Sequence, residues 1–154
     1  MERVTRCQGP ATPRLDDEAA ADVARDQLRA TGVIPIEPGP AIAVMLAPGE
    51  HLLTVRHMAR VELLVGSDQP PTRDSALYLT DRRLVLMEPP LDLSLGDIRD
   101  VEVVDGELML LAEGSGGVRI HIDDPRVFRV EIAAARSAHR VACGARPVGQ
   151  SDSR

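Results

Sequence analysis

Several residue types that usually carry specific chemistry are scarce or missing in this chain of 154 residues. Lysine, asparagine and tryptophan are absent, all 18 basic residues are arginine, and the aromatic residues are one Tyr and one Phe. The core must therefore be aliphatic, built from Leu, Val, Ile and Met. We attribute the missing lysine to codon bias in a GC-rich genome and infer no special chemistry from arginine alone.

Cysteine and long apolar runs are also scarce. Cys7 and Cys143 lie near opposite ends without CxxC spacing, which predicts free thiols. The apolar run at 41–47 is far shorter than the roughly 20 residues that span a bilayer, and nothing resembles a signal peptide. The net charge of -6 disfavours nucleic acid, because the field of the protein repels phosphate. We expect a soluble, cytoplasmic protein.

Motifs for catalysis and cofactor binding are missing too. The sequence has no GxSxG elbow, GxGxxG fingerprint or P-loop. His51, His57, His121 and Asp123 are the only set that suggests a metal or acid-base site, and they lack metal-ligand spacing. We expect no enzyme, no cofactor and no metal, with an enzyme built on His57 and His121 as a remote alternative.

The length suits one domain with an appendage. Residues 1–11 and 144–154 are expected to be disordered tails. Residues 12–46 predict an N-terminal helix that ends at Gly32, followed by an extended linker, because prolines between positions 35 and 48 exclude a regular helix. The folded domain is expected to span 47–143.

The stretch from Ala76 to Val104 is expected to organise the domain. A two-residue turn at 81–82 places Leu79 opposite Leu84 and Leu77 opposite Leu86. Residues 51–65 are long for one strand and predict a bend or a split into two strands near 57–60. Strict alternation along this stretch places one set of side chains in a single row. That row is Leu53, Val55, His57, Ala59, Val61, Leu63 and Val65.

The Asp-Gly pair at 105–106 predicts a type I′ hairpin, because both positions need positive φ. The register then places Val103 opposite Leu108 and Val101 opposite Leu110 on one face. The other face is unusually apolar for a surface. Its members are Asp100, Glu102, Val104, Met109 and Leu111.

The last element predicts an amphipathic helix that begins after Asp124 as N-cap, with Pro125 at its first position, and ends near Ala142. Its apolar face covers about half of the circumference. Glu131 falls inside that face, where an unpartnered carboxylate would be costly. It either reaches solvent at the rim or pairs with an arginine from the sheet.

The segments LYLTDRRLVLM and LDLSLGDIRDVEV, followed by this helix, resemble bacterial pleckstrin-homology-like and GRAM-like domains over about 47–142. The resemblance implies a mainly β protein with helices. Its expected architecture is a two-sheet antiparallel sandwich or barrel of about seven strands, capped by the C-terminal helix. The N-terminal helix lies outside the resemblance. The basic loop of lipid-binding members is matched at best by Arg56 and Arg60, which weakens any expectation of phosphoinositide recognition.

Two surfaces are candidate sites. The first is an apolar protein interface, which we expect residues 15–46 to cover in cis or from a second subunit. Its residues are Val104, Met109, Leu111, Tyr78 and Val85, with Met87 beside them. The second is an arginine patch for anionic lipid, formed by Arg56, Arg60, Arg82 and Arg83.

Charge is uneven along the chain. Residues 84–124 carry two arginines against ten acids, a local charge of -8. This segment is either a solvated acidic edge or a surface for a basic partner. We predict a non-catalytic module that binds a protein partner or itself, a homo-oligomer included. The alternative is a peripheral membrane adaptor that uses the arginine patch.

Overall fold

The computed structural model describes residues 13–64, 74–88, 90–114 and 116–144. The predicted tail at 1–11, Cys7, residues 65–73 and residues 145–154 of the predicted tail at 144–154 lie outside these residues, whereas Gly144 ends the last helix. The elements are α1 (Pro13–Thr31), α2 (Pro40–Ala43), β1 (Leu52–Leu63), β2 (Ser75–Thr80), β3 (Arg83–Leu86), β4 (Leu91–Ser94), β5 (Ile98–Val104), β6 (Glu107–Ala112), β7 (Gly116–His121) and α3 (Pro125–Gly144).

The seven strands form one antiparallel sheet in the order β4-β3-β2-β1-β7-β6-β5. Strands β4 and β5 are its edges, so the sheet is open within the described residues. Strand β1 pairs with β2 through its first part and with β7 through its second part. It therefore joins a first half-sheet (β1 to β4) to a second half-sheet (β1 with β5 to β7). The fold is mixed α and β.

Both predicted hairpins are confirmed. Leu77 pairs with Leu86 and Leu79 with Leu84 across the β2–β3 turn. In the β5–β6 hairpin, Val101 pairs with Leu110 and Val103 with Leu108. Asp105 and Gly106 have φ values of 52° and 80°, as a type I′ turn requires. The two turns thus set the register of four strands.

The predicted irregularity of β1 near 57–60 is confirmed as a register shift, and because of this shift the predicted single row of β1 side chains is wrong. Arg56 lies opposite Leu77 and Ala59 lies opposite Ser75, so three residues of β1 span two of β2. The extra residue changes which side chains face the core. Before the shift, Arg56 lies on the same face of the sheet as Leu77. After the shift, Ala59 lies on that face.

The face of the sheet that carries Leu77 and Leu110 is called the inner face, and the opposite face is the outer face. Helix α3 packs on the inner face through Phe128, Ile132 and Ala135, which are all fully buried. These three side chains recur at spacings of four and three, so they form one stripe of the helix. The single phenylalanine of the chain thus lies at the centre of an aliphatic core.

Helix α1 packs on α3, away from the sheet. The Asp17 carboxylate accepts hydrogen bonds from the backbone N–H groups of Arg126 (3.1 Å) and Val127 (3.4 Å) in the first turn of α3. Asp124 occupies the predicted N-cap position, but its carboxylate binds Arg56 instead. A side chain from α1 therefore satisfies helix donors that α3 leaves unpaired.

The linker after α1 contains one helical turn, α2, which the sequence analysis did not predict. Pro40 begins it, where a missing N–H costs nothing. The Ile36 N–H donates to the Leu52 carbonyl at 2.8 Å, which ties the linker to β1. Ile42 and Leu52 are both fully buried on the outer face, where they lie near Tyr78. The linker therefore covers the outer face of the first half-sheet.

Substitution Gly106→Ala tests the β5–β6 turn. An alanine at a φ of 80° is strained, and we expect the free energy of unfolding to fall by about 1 kcal/mol in urea titration. Gly39→Ala is the control, because Gly39 has a φ of -66° and no heavy atom within 4 Å of a new Cβ. Equal losses in the free energy of unfolding of the two variants would contradict the assignment of this turn.

Candidate interaction surface

The outer face of the second half-sheet carries three of the predicted interface residues. Register places Val104, Met109 and Leu111 on this face, which the turn at 105–106 determines. Val104 is 46% exposed and Leu111 is 55% exposed, whereas Met109 is half-buried. Leu64 extends this apolar surface and is 39% exposed. These four residues are called the outer patch.

Gly117 allows Leu64 to join the outer patch. The Leu64 N–H donates to the Gly117 carbonyl at 2.9 Å. A Cβ on Gly117 would lie 3.1 Å from the Leu64 Cδ1 atom, which is closer than ordinary contact. The leucine side chain therefore lies across the glycine, where a larger residue would displace it.

Charged side chains share the outer face with the outer patch. The Arg119 guanidinium lies 3.4 Å from Glu62 and 3.1 Å from Glu107. The imidazole of His121 lies 3.0 Å from Glu107 and 3.8 Å from Glu62. Glu102 pairs with Met109 across the strands and is exposed. The surface around the apolar residues is therefore polar and has more acids than bases.

The two other predicted interface residues lie in a different environment. Val85 is only 3% exposed and Tyr78 is half-buried, and they pair across β2 and β3. Tyr78 lies beside Ile36 and Ile42 of the linker around a shallow pocket. Met87 is half-buried in the turn after β3.

Within the single chain, residues 15–46 therefore cover the apolar face of the first half-sheet but not the outer patch, and cover of the outer patch by a second subunit stays a prediction. The linker reaches Tyr78 because it is tied to β1 through Ile36. Helix α1 has its own partner in α3, to which Asp17 binds. It therefore does not cover the outer patch.

The arginine patch is not one surface. Arg82 and Arg83 lie at the β2–β3 turn, whereas Arg56 lies opposite Leu77 in mid-strand and Arg60 lies beyond the register shift. Arg60 pairs with Asp74 at 3.3 Å. Arg82 donates to the Pro48 carbonyl at 3.2 Å.

Arg83 binds a buried carboxylate and so links the linker to the β2–β3 hairpin. Its Nε and Nη2 atoms donate to Glu50 at 2.8 and 3.1 Å, and its Nη1 atom donates to Asp92 at 2.6 Å. The side chain of Glu50 is 1% exposed and also accepts hydrogen bonds from Thr80 and the Ala47 N–H. Burial alone would raise the pKa of Glu50, but these hydrogen bonds together lower it. Arg83 therefore has a structural partner.

Arg56 binds the two carboxylates at the start of α3. It donates to Asp124 at 2.8 Å and to Glu131 at 2.7 Å, and its guanidinium lies 4.8 Å from the centre of the Phe128 ring. Of the two expected positions for Glu131, the structure shows the pair with a sheet arginine. Burial raises the pKa of Glu131 above its ordinary value, although Arg56 opposes this shift.

The predicted acid-base residues do not come together. His51 binds Asp81 at 2.9 Å near the β2–β3 turn, whereas His121 lies at the end of β7 beside Glu107. His57 is exposed on central strand β1. Among residues 13–64, 74–88, 90–114 and 116–144, no group of three His, Cys, Asp or Glu side chains is arranged to hold a metal.

Sequence reasoning missed the groove between α1 and α3. Arg126 and Arg129 of α3 border this groove, together with Arg25 and Arg29 of α1. The width of the apolar face of α3, about half of the circumference, was the available signal. A helix that packs on one partner needs a narrower apolar face. No described helix has the length and hydropathy needed to cross a membrane.

No protein-family model and no curated protein matches the chain significantly. The likeness to pleckstrin-homology-like and GRAM-like domains thus rests on the two quoted segments and on the order of the elements. It stays a prediction.

The raised pKa of Glu131 predicts the pH dependence of a Glu131→Gln variant. The folded chain binds the proton more tightly than the unfolded chain, so the stability contributed by Glu131 is present below the ordinary pKa of 4.5. It is lost as the pH rises through the raised pKa. We expect the wild type to lose stability relative to Glu131→Gln as the pH rises from 4.5, in urea titrations at several pH values.

Glu50→Gln is the opposite case. Because the pKa of Glu50 is lowered, its contribution is present above 4.5 and is lost as the pH falls through the lowered pKa. The wild type should therefore gain stability relative to this variant as the pH rises. At neutral pH we expect Glu50→Gln to unfold about 1–3 kcal/mol more easily, because a charged hydrogen-bonding group is lost. Slopes of the same sign in both variants would show that one assignment is wrong.

Proposed function

We propose that this protein is a non-catalytic binding module of the pleckstrin-homology-like or GRAM-like type, which acts in the cytoplasm through protein contacts. Its partner is another protein or a second copy of the chain. The open seven-stranded sheet and the helix packed on its inner face are compatible with such a fold. The quoted segments fall on β2–β3 and β4–β5, as that resemblance implies.

The observation that carries the proposal is the outer patch, which no other described part of the chain covers. The linker covers the corresponding face of the first half-sheet, where Val85 is buried, whereas Val104 and Leu111 stay about half exposed. Contiguous apolar side chains rimmed by charges are typical of protein interfaces. Exposure of the patch in the single chain therefore favours burial against a partner.

The ion pairs that the arginines already form also favour protein contact over lipid binding. Arg56 and Arg83 each bind two carboxylates, and Arg60 binds one. An anionic headgroup would have to displace these acids, which costs desolvation and the existing ion pairs. The acids around the outer patch would further repel an anionic membrane.

The double variant Val104→Ser/Leu111→Ser tests the proposal. Both residues are exposed, so the fold should persist while the apolar contact is lost. If the wild type self-associates, we expect light scattering to show a dimer or larger oligomer for the wild type and a monomer for the variant. If it binds another protein, quantitative cross-linking in the host should show proteins that the wild type captures and the variant does not.

The matched control is Val23→Ser/Val141→Ser, which removes two exposed valines on the helices. This variant should behave like the wild type in both measurements. A wild type that stays monomeric, with the same captured proteins in all three forms, would contradict the proposal.

A further inference from the structure

The groove between α1 and α3 has a volume of about 610 Å³ and no assigned role. Arginines from both helices border it: Arg25 and Arg29 from α1, and Arg126 and Arg129 from α3. The acids that line it are Glu18 and Asp22, so four positive charges meet two negative ones. This local charge of +2 contrasts with the charge of -6 on the whole chain. We call it the arginine groove.

Two of these arginines have donors to spare. Arg129 uses its Nε atom to donate to the Val101 carbonyl at 3.0 Å, and its terminal nitrogens have no partner within the described chain. Within the same residues, the guanidinium of Arg126 has no hydrogen bond or ion pair. Among the described residues, Arg25 pairs with the exposed Asp22 and Arg29 with the exposed Asp26, and solvent weakens both interactions. An incoming anion could therefore bind here without breaking a buried ion pair.

The floor of the arginine groove is apolar. Ala21 is buried, whereas Leu28 and Val130 are half-buried at its wall. Alanine contributes little side-chain volume, so the space between the helix axes is not filled. The volume lies within the range of about 300–1,000 Å³ that is typical of small-molecule sites.

We propose that the arginine groove binds a single-tailed anionic amphiphile as a monomer. Arg126 and Arg129 receive its carboxylate or phosphate head, and its short hydrocarbon tail lies along Ala21, Leu28 and Val130. Guanidinium groups bind such heads through paired, charge-assisted hydrogen bonds. Burial of the tail on apolar side chains supplies the remaining affinity.

Four probes separate the head from the tail in calorimetric or NMR titrations below the micelle concentration. Decyl phosphate and decanoate carry both features, decyltrimethylammonium reverses the charge, and inorganic phosphate lacks the tail. We expect one saturable site for the two anionic amphiphiles. The affinities of the other two probes should be at least about tenfold lower, because decyltrimethylammonium lacks the anionic head and inorganic phosphate lacks the tail.

Matched variants locate the site. Arg25→Ala/Arg126→Ala removes two charges from the groove, and we expect about tenfold weaker binding of decyl phosphate. Arg60→Ala/Arg140→Ala removes the same charge elsewhere and should bind like the wild type. Ala133→Leu places a larger side chain in the groove at an exposed position and should also weaken binding. Circular dichroism and urea titration check that each variant is folded.

Three results would overturn the proposal. Equal losses of affinity for decyl phosphate in the two double variants would show that only the net charge matters. Equal affinities of all four probes would show nonspecific adsorption. Binding to anionic vesicles without binding to monomeric amphiphile would point to a membrane surface instead. The Val104→Ser/Leu111→Ser variant should keep its affinity for decyl phosphate, so this inference and the proposed protein contact can fail separately.

Discussion

Strand β1 belongs to both halves of the sheet, and the register shift between Arg56 and Ala59 makes this possible. One extra residue reverses the side-chain alternation and adds local twist. As a result, a charged residue faces the core in the first part of the strand and small apolar residues do so in the second part. Without the shift, Arg56 would point away from α3, and the carboxylate of Glu131 would lose its partner at the sheet.

The pKa values of buried Glu50 and half-buried Glu131 shift in opposite directions. Glu50 accepts four hydrogen bonds, so its ionised form is favoured despite burial. Glu131 has one arginine, which it shares with Asp124, and burial outweighs that attraction. The first site fastens the linker to the β2–β3 hairpin, whereas the second lies where α3 meets β1. Hydrogen bonds to the charged form, more than the nearest opposite charge, therefore set the sign of the pKa shift.

The features that could be predicted from the sequence are those that depend on residues close together in the chain. The Asp105-Gly106 turn fixes the β5–β6 register through φ alone, and the spacing of Phe128 and Ile132 fixes the buried stripe of α3. The length of 51–65 predicted a bend near 57–60, but Arg56 to Ala59 contains neither glycine nor proline, so the extra residue itself had no local signal. The partner of Asp17 lies 109 residues away in sequence, at Arg126, so helix pairing could not be deduced. The unequal covering of the outer face depends on that same distant contact.

The outer face shows why the position of α1 matters for function. The linker covers the half-sheet to which the hydrogen bond from Ile36 to the Leu52 carbonyl ties it. Helix α1 packs on α3 instead, so among the described residues the outer patch has no cover. The exposed patch and the arginine groove thus have one cause, the packing of α1 on α3. That packing leaves an apolar sheet face free on one side of the molecule and creates a positively charged cleft on another.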